Sequence, residues 1–312
     1  MSARPEVSVI IPTFNGAAHI VETVDSVLSQ SWGDLELVLV DDGSTDGTAE
    51  LVADRDPRIR IFPQSNAGIA GARNTGLRQA RGRFIGFLDH DDVWHPKKLE
   101  AQLTVLRQDT DYGVCFGSFK PWNGSDATAQ LQHELAPRDL DPALSGKIYH
   151  RLVATNHVLL GTTLFRRELI DAVGEFDPAL PPADDWDYAV RTALISRFAK
   201  LEPTVTLYRI HASMTSKQPG AKDHETDFRE SLYRRYGLAS EDGRSFPYRE
   251  YLKRNYRSAL SHGHRCMKAG MYESASRSYR RALAFRPGAL EPRWLLLRNG
   301  LQRSVGGGGH PG

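Results

Sequence analysis

Arg83-Phe84-Ile85-Gly86-Phe87-Leu88-Asp89-His90-Asp91-Asp92 runs from an apolar stretch directly into three carboxylates within four positions. The apolar half reads as a buried strand, and the polar half as the turn that this strand delivers. Carboxylates at alternate positions after such a strand can project together into one cleft. A cation is what holds like charges so close, and Mg2+ or Mn2+ prefers oxygen ligands of this kind while bridging to phosphates. Asp is also an ordinary turn and capping residue, but three in four positions exceed what capping needs.

Upstream, strand and helix alternate. Val7-Ser8-Val9-Ile10-Ile11 is a β-branched run ended by Pro12, and residues 17–30 place Ile20, Val24, Val27 and Leu28 at helical spacing. A second apolar run over residues 35–40 leads into Asp41-Asp42-Gly43-Ser44, which is turn chemistry with capping residues. A helix and a strand over residues 58–62 are expected next, then a helix over residues 68–80. Downstream, Pro96 stands at the first turn of a helix that continues through Leu99, Leu103 and Leu106. The alternation predicts an α/β fold with a mainly parallel, Rossmann-like central sheet covered by helices on both faces. Ligands of such sheets bind at the carboxyl ends of the strands. Three polar clusters fall there: Pro12-Thr13-Phe14-Asn15, Asp41 to Ser44, and Asp89 to Asp92. Asp42 is suited to accept hydrogen bonds from a base N–H or a ribose hydroxyl.

From about residue 110 the pattern weakens. A polar, turn-rich stretch at residues 120–145 reads as a long loop. Residues 161–165 and 205–210 read as strands, and residues 186–198 as a helix. Beyond 245 the character is helical. The run Tyr272-Glu273-Ser274-Ala275-Ser276-Arg277-Ser278-Tyr279-Arg280-Arg281-Ala282-Leu283, with Pro287 after it, weakly resembles the second helix of a tetratricopeptide repeat. The expected division is a domain at residues 1–215, a helical extension at residues 216–305 and a disordered tail at residues 306–312.

The 312 residues are 40% hydrophobic and 25% charged, an ordinary balance for a globular chain. No apolar run approaches the length of a membrane span, and the N-terminus lacks the long apolar stretch of a secretory signal. Cys115 and Cys266 stand far apart in no metal-type spacing, which favours buried structural roles. The expected compartment is the cytoplasm. A net charge of +2 hides an asymmetry: residues 249–303 hold 13 Lys and Arg against Glu250, Glu273 and Glu291. A basic tail on an acidic body fits peripheral contact with the inner face of a plasma membrane, or a solvated helical face. No nucleic-acid partner is expected. The first strand is followed by neither Gly-x-Gly-x-x-Gly nor a phosphate-binding Gly-rich loop with Lys, which argues against a dinucleotide-dependent dehydrogenase and a P-loop NTPase.

These motifs in this order, with Asn66-Ala67-Gly68, Ala72-Arg73-Asn74-Thr75-Gly76 and Ala183-Asp184-Asp185-Trp186-Asp187-Tyr188, resemble family-2 glycosyltransferases of the GT-A fold. The resemblance covers residue 6 to about 215. It implies a transferase of the hexosyl or N-acetylhexosaminyl class that uses a nucleotide-sugar donor, most often a UDP-sugar, and a divalent cation (Mn2+ or Mg2+), with inversion at the anomeric carbon. The acceptor would be a glycan or lipid-linked hydroxyl in cell-surface polysaccharide or glycoconjugate synthesis. Pro12, Thr13, Phe14, Asn15, Asp42, Gly68, Arg73, Asp89 and His90 would then surround the nucleotide. Asp91, with Asp89 and His211, would hold the metal. Asp185 would be the general base, and Asp92, Asp184 and Trp186 would support donor or acceptor. Asp184 stands where the family usually shows Glu. Two other readings remain: a nucleotidyltransferase, and a non-catalytic recruitment module with a vestigial site.

Overall fold

The computed structural model describes residues 4–135, 140–180, 183–211 and 222–306, the last six by backbone alone. It divides into two compact units: Met1–Leu152 with Asn156–His211, and Val153–Thr155 with Ala212–Gly312. The expected domain boundary at residue 215 lies outside the described residues, as do residues 307–312 of the expected tail.

Among the described residues the first unit is built on eight strands: β1 (Val7–Thr13), β2 (Leu35–Asp41), β3 (Ile59–Pro63), β4 (Phe84–Phe87), β5 (Val93–Trp94), β6 (Tyr112–Trp122), β7 (Thr163–Arg166) and β8 (Arg197–Arg209). They form one sheet in the order β3-β2-β1-β4-β7-β6-β8-β5. β1 and β2 are buried along their whole length, and Ser8 and Glu36, which interrupt their apolar runs, meet in a 2.6 Å hydrogen bond. Thr13 registers with Asp41, and Ile10 with Phe87, in parallel pairs. The turns after β1, β2 and β4 therefore leave at one edge of the sheet. The first parallel run stops at β4: β7 pairs antiparallel with both β4 and β6, β6 and β8 pair parallel, and β5 pairs antiparallel with β8.

The helices that accompany this sheet among the described residues are α1 (Ile20–Leu28), α2 (Gly68–Gln79), α3 (Lys98–Gln108), the short α4 (Ala127–Gln130) and α5 (Tyr149–Leu152), α6 (Arg167–Val173) and α7 (Asp184–Ile195). α1 turns Ile20, Val24 and Val27 into a core shared with Val9, Leu37, Leu39 and Leu99. Burial of each such side chain contributes about 1.5–3 kcal/mol. α2 buries small residues instead, and a Cβ at Gly76 would stand 2.3 Å from Cγ2 of Ile10 on β1. That close approach sets Arg73, one turn earlier on the same helix, against the sheet.

Three local expectations are corrected. The segment after Gly47 forms turns rather than a helix. There Thr48 Oγ1 accepts the Gly16 N–H at 2.9 Å and Asp46 Oδ2 accepts the Ala17 N–H at 3.0 Å. These side chains tie the segment to the β1 loop and compete with helical pairing. The strand expected at residues 161–165 begins with a single 3-10 turn at Leu160–Thr162. The last strand starts at Arg197, inside the helix expected to run to residue 198, because α7 ends at Ile195.

The second unit holds α8 (His224–Tyr236), α9 (Tyr248–Lys268), α10 (Tyr272–Phe285) and α11 (Leu290–Gly306). Asp223 caps α8 by accepting the Thr226 N–H, and α8 stops at Gly237, whose φ of +73° suits glycine. Buried Arg229 of α8 donates to the Ala154 carbonyl and to Asn255 of α9, each at 2.8 Å. Cys266, Ala275, Tyr279 and Leu295 form the small apolar core of α9, α10 and α11. Among the described residues no helix is long and apolar enough to cross a membrane.

Candidate active site

The carboxyl ends of β1, β2 and β4 assemble the first wall. Asp42 is buried, and its Oδ1 accepts the Gln64 side-chain amide at 2.7 Å and the Ala67 N–H at 2.8 Å. Its own N–H donates to the Thr13 carbonyl at 2.8 Å, fastening β2 to β1. Asn15 takes a left-handed φ of +50° and accepts the Thr45 N–H at 2.9 Å, so its side chain shapes the loop. Pro12 and Thr13 are buried while Phe14 is exposed, a ring offered to solvent at the mouth of this wall. Gly68 opens α2 with φ +76°.

The Asp89 turn forms the centre. Its residues have different surroundings. Asp89 Oδ1 accepts from Arg73 Nη2 at 3.0 Å. Asp91 Oδ2 lies 2.8 Å from Nε2 of His211, which follows β8. Asp92 is fully buried, and its Oδ1 accepts the Arg209 backbone N–H at 2.9 Å. Burial, then the charges of Asp89 and Asp91, push the Asp92 carboxyl well above the usual carboxylate range. Its other oxygen has no partner among the described residues. Asp92 therefore secures the turn to the end of β8. At 0% exposure it sits within the turn, in line with the turn-supporting half of its expected role. His90 packs against the β1 loop, where a Cβ on Gly16 would stand 2.7 Å from its ring. The Thr23 hydroxyl donates to the His90 carbonyl at 2.9 Å.

The acidic start of α7 supplies the opposite wall. Asp184, Asp185 and Asp187 occupy its first turn, where the helix dipole favours negative charge. Asp184 is buried, and its Oδ2 accepts from Arg73 Nη1 at 2.7 Å. Burial opposes the Arg73 charge, but Asp89, Asp184 and Asp185 outweigh it and hold this guanidinium firmly protonated. Asp185 is half-buried. Burial raises its carboxyl to about 6, the Arg73 charge pulling it down and Asp184 pushing it up. It accepts the Trp186 N–H at 2.6 Å and the Asn156 side-chain amide at 3.3 Å. Trp186 itself is buried, and its indole donates to the Leu152 carbonyl at 2.7 Å.

Two residues of this site escape sequence reasoning. Asn156 stands in a segment without motif character. Arg209 was visible only as a neighbour of His211, yet its Nε donates to the Asp91 carbonyl at 2.7 Å and its Nη2 pairs with Glu22.

A divalent cation fits this donor set. Asp91 pairs a carboxylate with an imidazole, and Arg73 engages one oxygen of Asp89. The described residues hold no close cluster of three or more ligating side chains. A cation here would complete its shell with phosphate oxygens and water, as Mg2+ commonly does.

Comparison with known proteins agrees with this architecture. An uncharacterized glycosyltransferase of Bacillus subtilis, EpsJ, is 31% identical over 250 residues, covering 75% of this chain and 72% of EpsJ. The uncharacterized glycosyltransferase RP339 of Rickettsia prowazekii is 28% identical over 221 residues, covering 68% of this chain and 66% of its own length. The chain thus spans about two thirds of that relative. Two solved structures share the fold. Staphylococcus aureus TarS (residues 1–349), in complex with UDP-GlcNAc, aligns over 94% of this chain and 79% of its own at a TM-score of 0.58 and 21% identity. The mannosyltransferase PcManGT of Pyrobaculum calidifontis, in complex with GDP-Man and Mn2+, aligns over 96% and 81% at 0.59 and 23%. The profile of Glycosyl transferase family 2 matches residues 8–174, which include most of β1, the Asp42 wall and the Asp89 turn, and the chain belongs to that family.

Proposed function

We propose that the protein transfers a sugar from a nucleoside diphosphate donor to an acceptor hydroxyl, with a divalent cation and with inversion at the anomeric carbon. The observation that carries this reading is Arg73, whose guanidinium joins Asp89 of the donor turn to Asp184, the neighbour of Asp185. One buried cation thereby ties the nucleotide side of the site to its base.

In this reading Phe14 borders the base, Asp42 orders the loop beneath it, and Arg73 and Asp89 meet the diphosphate. Asp91, with His211, would hold Mn2+ or Mg2+, which when bound neutralises charge on the departing diphosphate. Asp185 takes the proton of the acceptor hydroxyl as that oxygen bonds to C1 from the face opposite the diphosphate. The C1–O bond to phosphate breaks, and its electron pair leaves with the nucleoside diphosphate. One displacement without a carboxylate nucleophile gives inversion. A carboxyl raised to about 6 is a stronger base than an ordinary Asp and is still ionised at neutral pH.

The neighbours recorded with UDP-GlcNAc and with GDP-Man and Mn2+ support a nucleotide-sugar donor, with a UDP-sugar the first to test. The acceptor is a glycan or lipid-linked hydroxyl of a cell-surface polymer. Release of nucleoside diphosphate from UDP-, GDP- and dTDP-sugars, with and without Mn2+, tests the donor and metal together. Asp91→Ala should abolish turnover, and full activity in that variant would overturn the mechanism. The anomeric configuration of the product, read by NMR, tests inversion.

A further inference from the structure

In the second unit, α9 and the end of α10 enclose a groove of about 420 Å³ lined by Arg249, Leu252, Lys253, Tyr256, Arg257, Phe285 and Arg286. Its walls are cationic, its floor is apolar and aromatic, and no carboxylate lines it. Arg286 stacks over the Tyr256 ring at 5.7 Å. Only four residues separate Phe285 from Leu290, so α11 begins beside this groove.

α11 has two unlike faces. Leu295 is buried in the core, and the Asn299 amide donates to the Tyr272 carbonyl and the Ser276 hydroxyl, both at 2.6 Å. The other face presents Leu290, Trp294 and Leu297, exposed by 78%, 58% and 72%. Their spacing of four and three places them in one stripe. Arg293 and Arg298 flank it, and Arg298 lies over the Trp294 ring at 5.5 Å. Apolar side chains at the centre, Trp among them and arginines at the rim, are the composition of a helix lying in a lipid interface.

Charge selects the occupant. Arg249, Arg257, Arg286, Arg293 and Arg298 make no ion pair among the described residues. Glu250, Glu273 and Glu291 are paired locally with Lys253, Arg277 and His264. A second copy would bring one strongly cationic face against another, whereas an anionic bilayer meets the charge and buries the stripe in one event. We propose that α9, α10 and α11 dock on an anionic membrane surface, with Leu290, Trp294 and Leu297 entering the interface and the groove taking an acidic lipid headgroup. This rests on the helical unit alone and holds whether or not the transferase reading does.

Flotation of the full chain with vesicles tests it, using phosphatidylcholine alone or mixed with phosphatidylglycerol. The unaltered chain should float with the anionic vesicles. Leu290→Gln with Trp294→Gln and Leu297→Gln should weaken partition about tenfold or more. Arg249→Gln with Lys253→Gln, Arg257→Gln and Arg286→Gln should weaken it by up to about fivefold per side chain. Circular dichroism checks both folds. Quenching of tryptophan fluorescence by brominated lipid needs no substitution, because Trp294 is the tryptophan that the structure exposes. Absence of flotation and quenching overturns the proposal, as does flotation of both folded variants equal to that of the unaltered chain. So does binding of inorganic phosphate without vesicle binding, or self-association in solution that the apolar variant abolishes.

Discussion

Arg73 Nη1 lies 2.7 Å from Asp184 Oδ2, a pair that closes 111 residues of sequence. Both side chains are 5% exposed, so neither can fall back on water. With Asp184 committed to Arg73, Asp185 is the half-buried carboxylate left beside it. The resemblance implies Asp185 as base although Asp184 replaces the usual Glu, and the pairing adds a physical reason for that choice.

Arg73→Ala leaves Asp184 buried without its partner and should cost about 3–5 kcal/mol of stability. Arg73→Lys keeps the charge but loses the planar fork that reaches Asp89 and Asp184 together. It should fold with a smaller loss and turn over donor far more slowly. Urea denaturation and donor turnover, measured on both variants, check this. Equal stability of the alanine variant and the unaltered chain would refute the assignment.

His211 approaches Asp91, the proposed metal ligand, at 2.8 Å. Whether it ligates directly or orients Asp91, its loss should weaken the cation. His211→Ala should raise the Mn2+ concentration for half-maximal turnover by about 10–100-fold, with turnover at saturating Mn2+ recovering in part. A metal titration of donor turnover reads this, and an unchanged midpoint would remove His211 from the site.

The parts of this site that sequence exposes are those with local signals. Asp89 to Asp92 follows an apolar strand directly, and His211 follows the end of another. Asn156 could not be found that way, because its relevance is a contact with Asp185 across 29 residues. The insertion of β7 between β4 and β6 was hidden for a related reason. Pairing of Phe84 with Arg166 leaves no trace in the periodicity of either strand. Asp92 reads like its neighbours in sequence, and only the N–H of Arg209, 117 residues away, separates its role from theirs.

Gly76 tests how the scaffold positions Arg73. A methyl group there would meet Ile10 at 2.3 Å, in a region where α2 lies directly on β1. Gly76→Ala should destabilise by about 1–3 kcal/mol through overpacking. The strain falls one turn from Arg73 on the same helix, so donor affinity should fall too. Chemical denaturation and the KM for donor check the two effects, and normal values for both would mean that α2 shifts freely.

Asp185 carries the pH dependence. Its carboxyl is raised to about 6 against an ordinary value of 3.8, so the folded chain holds a proton there that the unfolded chain releases. Below about 3.8 both states are protonated, and the group contributes no difference. As pH rises through about 6 the stability tied to that proton is lost, and above it the buried charge imposes a penalty on the order of 2 kcal/mol. Asp185→Asn removes the charge while its side-chain oxygen can still accept the Trp186 N–H. The metal-free variant should therefore be more stable than the unaltered chain by about that amount at pH 8, with the difference vanishing near pH 4. The same ionisation predicts that turnover of the unaltered enzyme rises as pH passes through about 6, and that Asp185→Asn turns over little at any pH. Thermal melts across this range, run beside pH–rate profiles, separate the two consequences. A variant that loses activity without gaining stability at pH 8 would show that Asp185 is ionised at little cost, and the raised carboxyl would have to be abandoned.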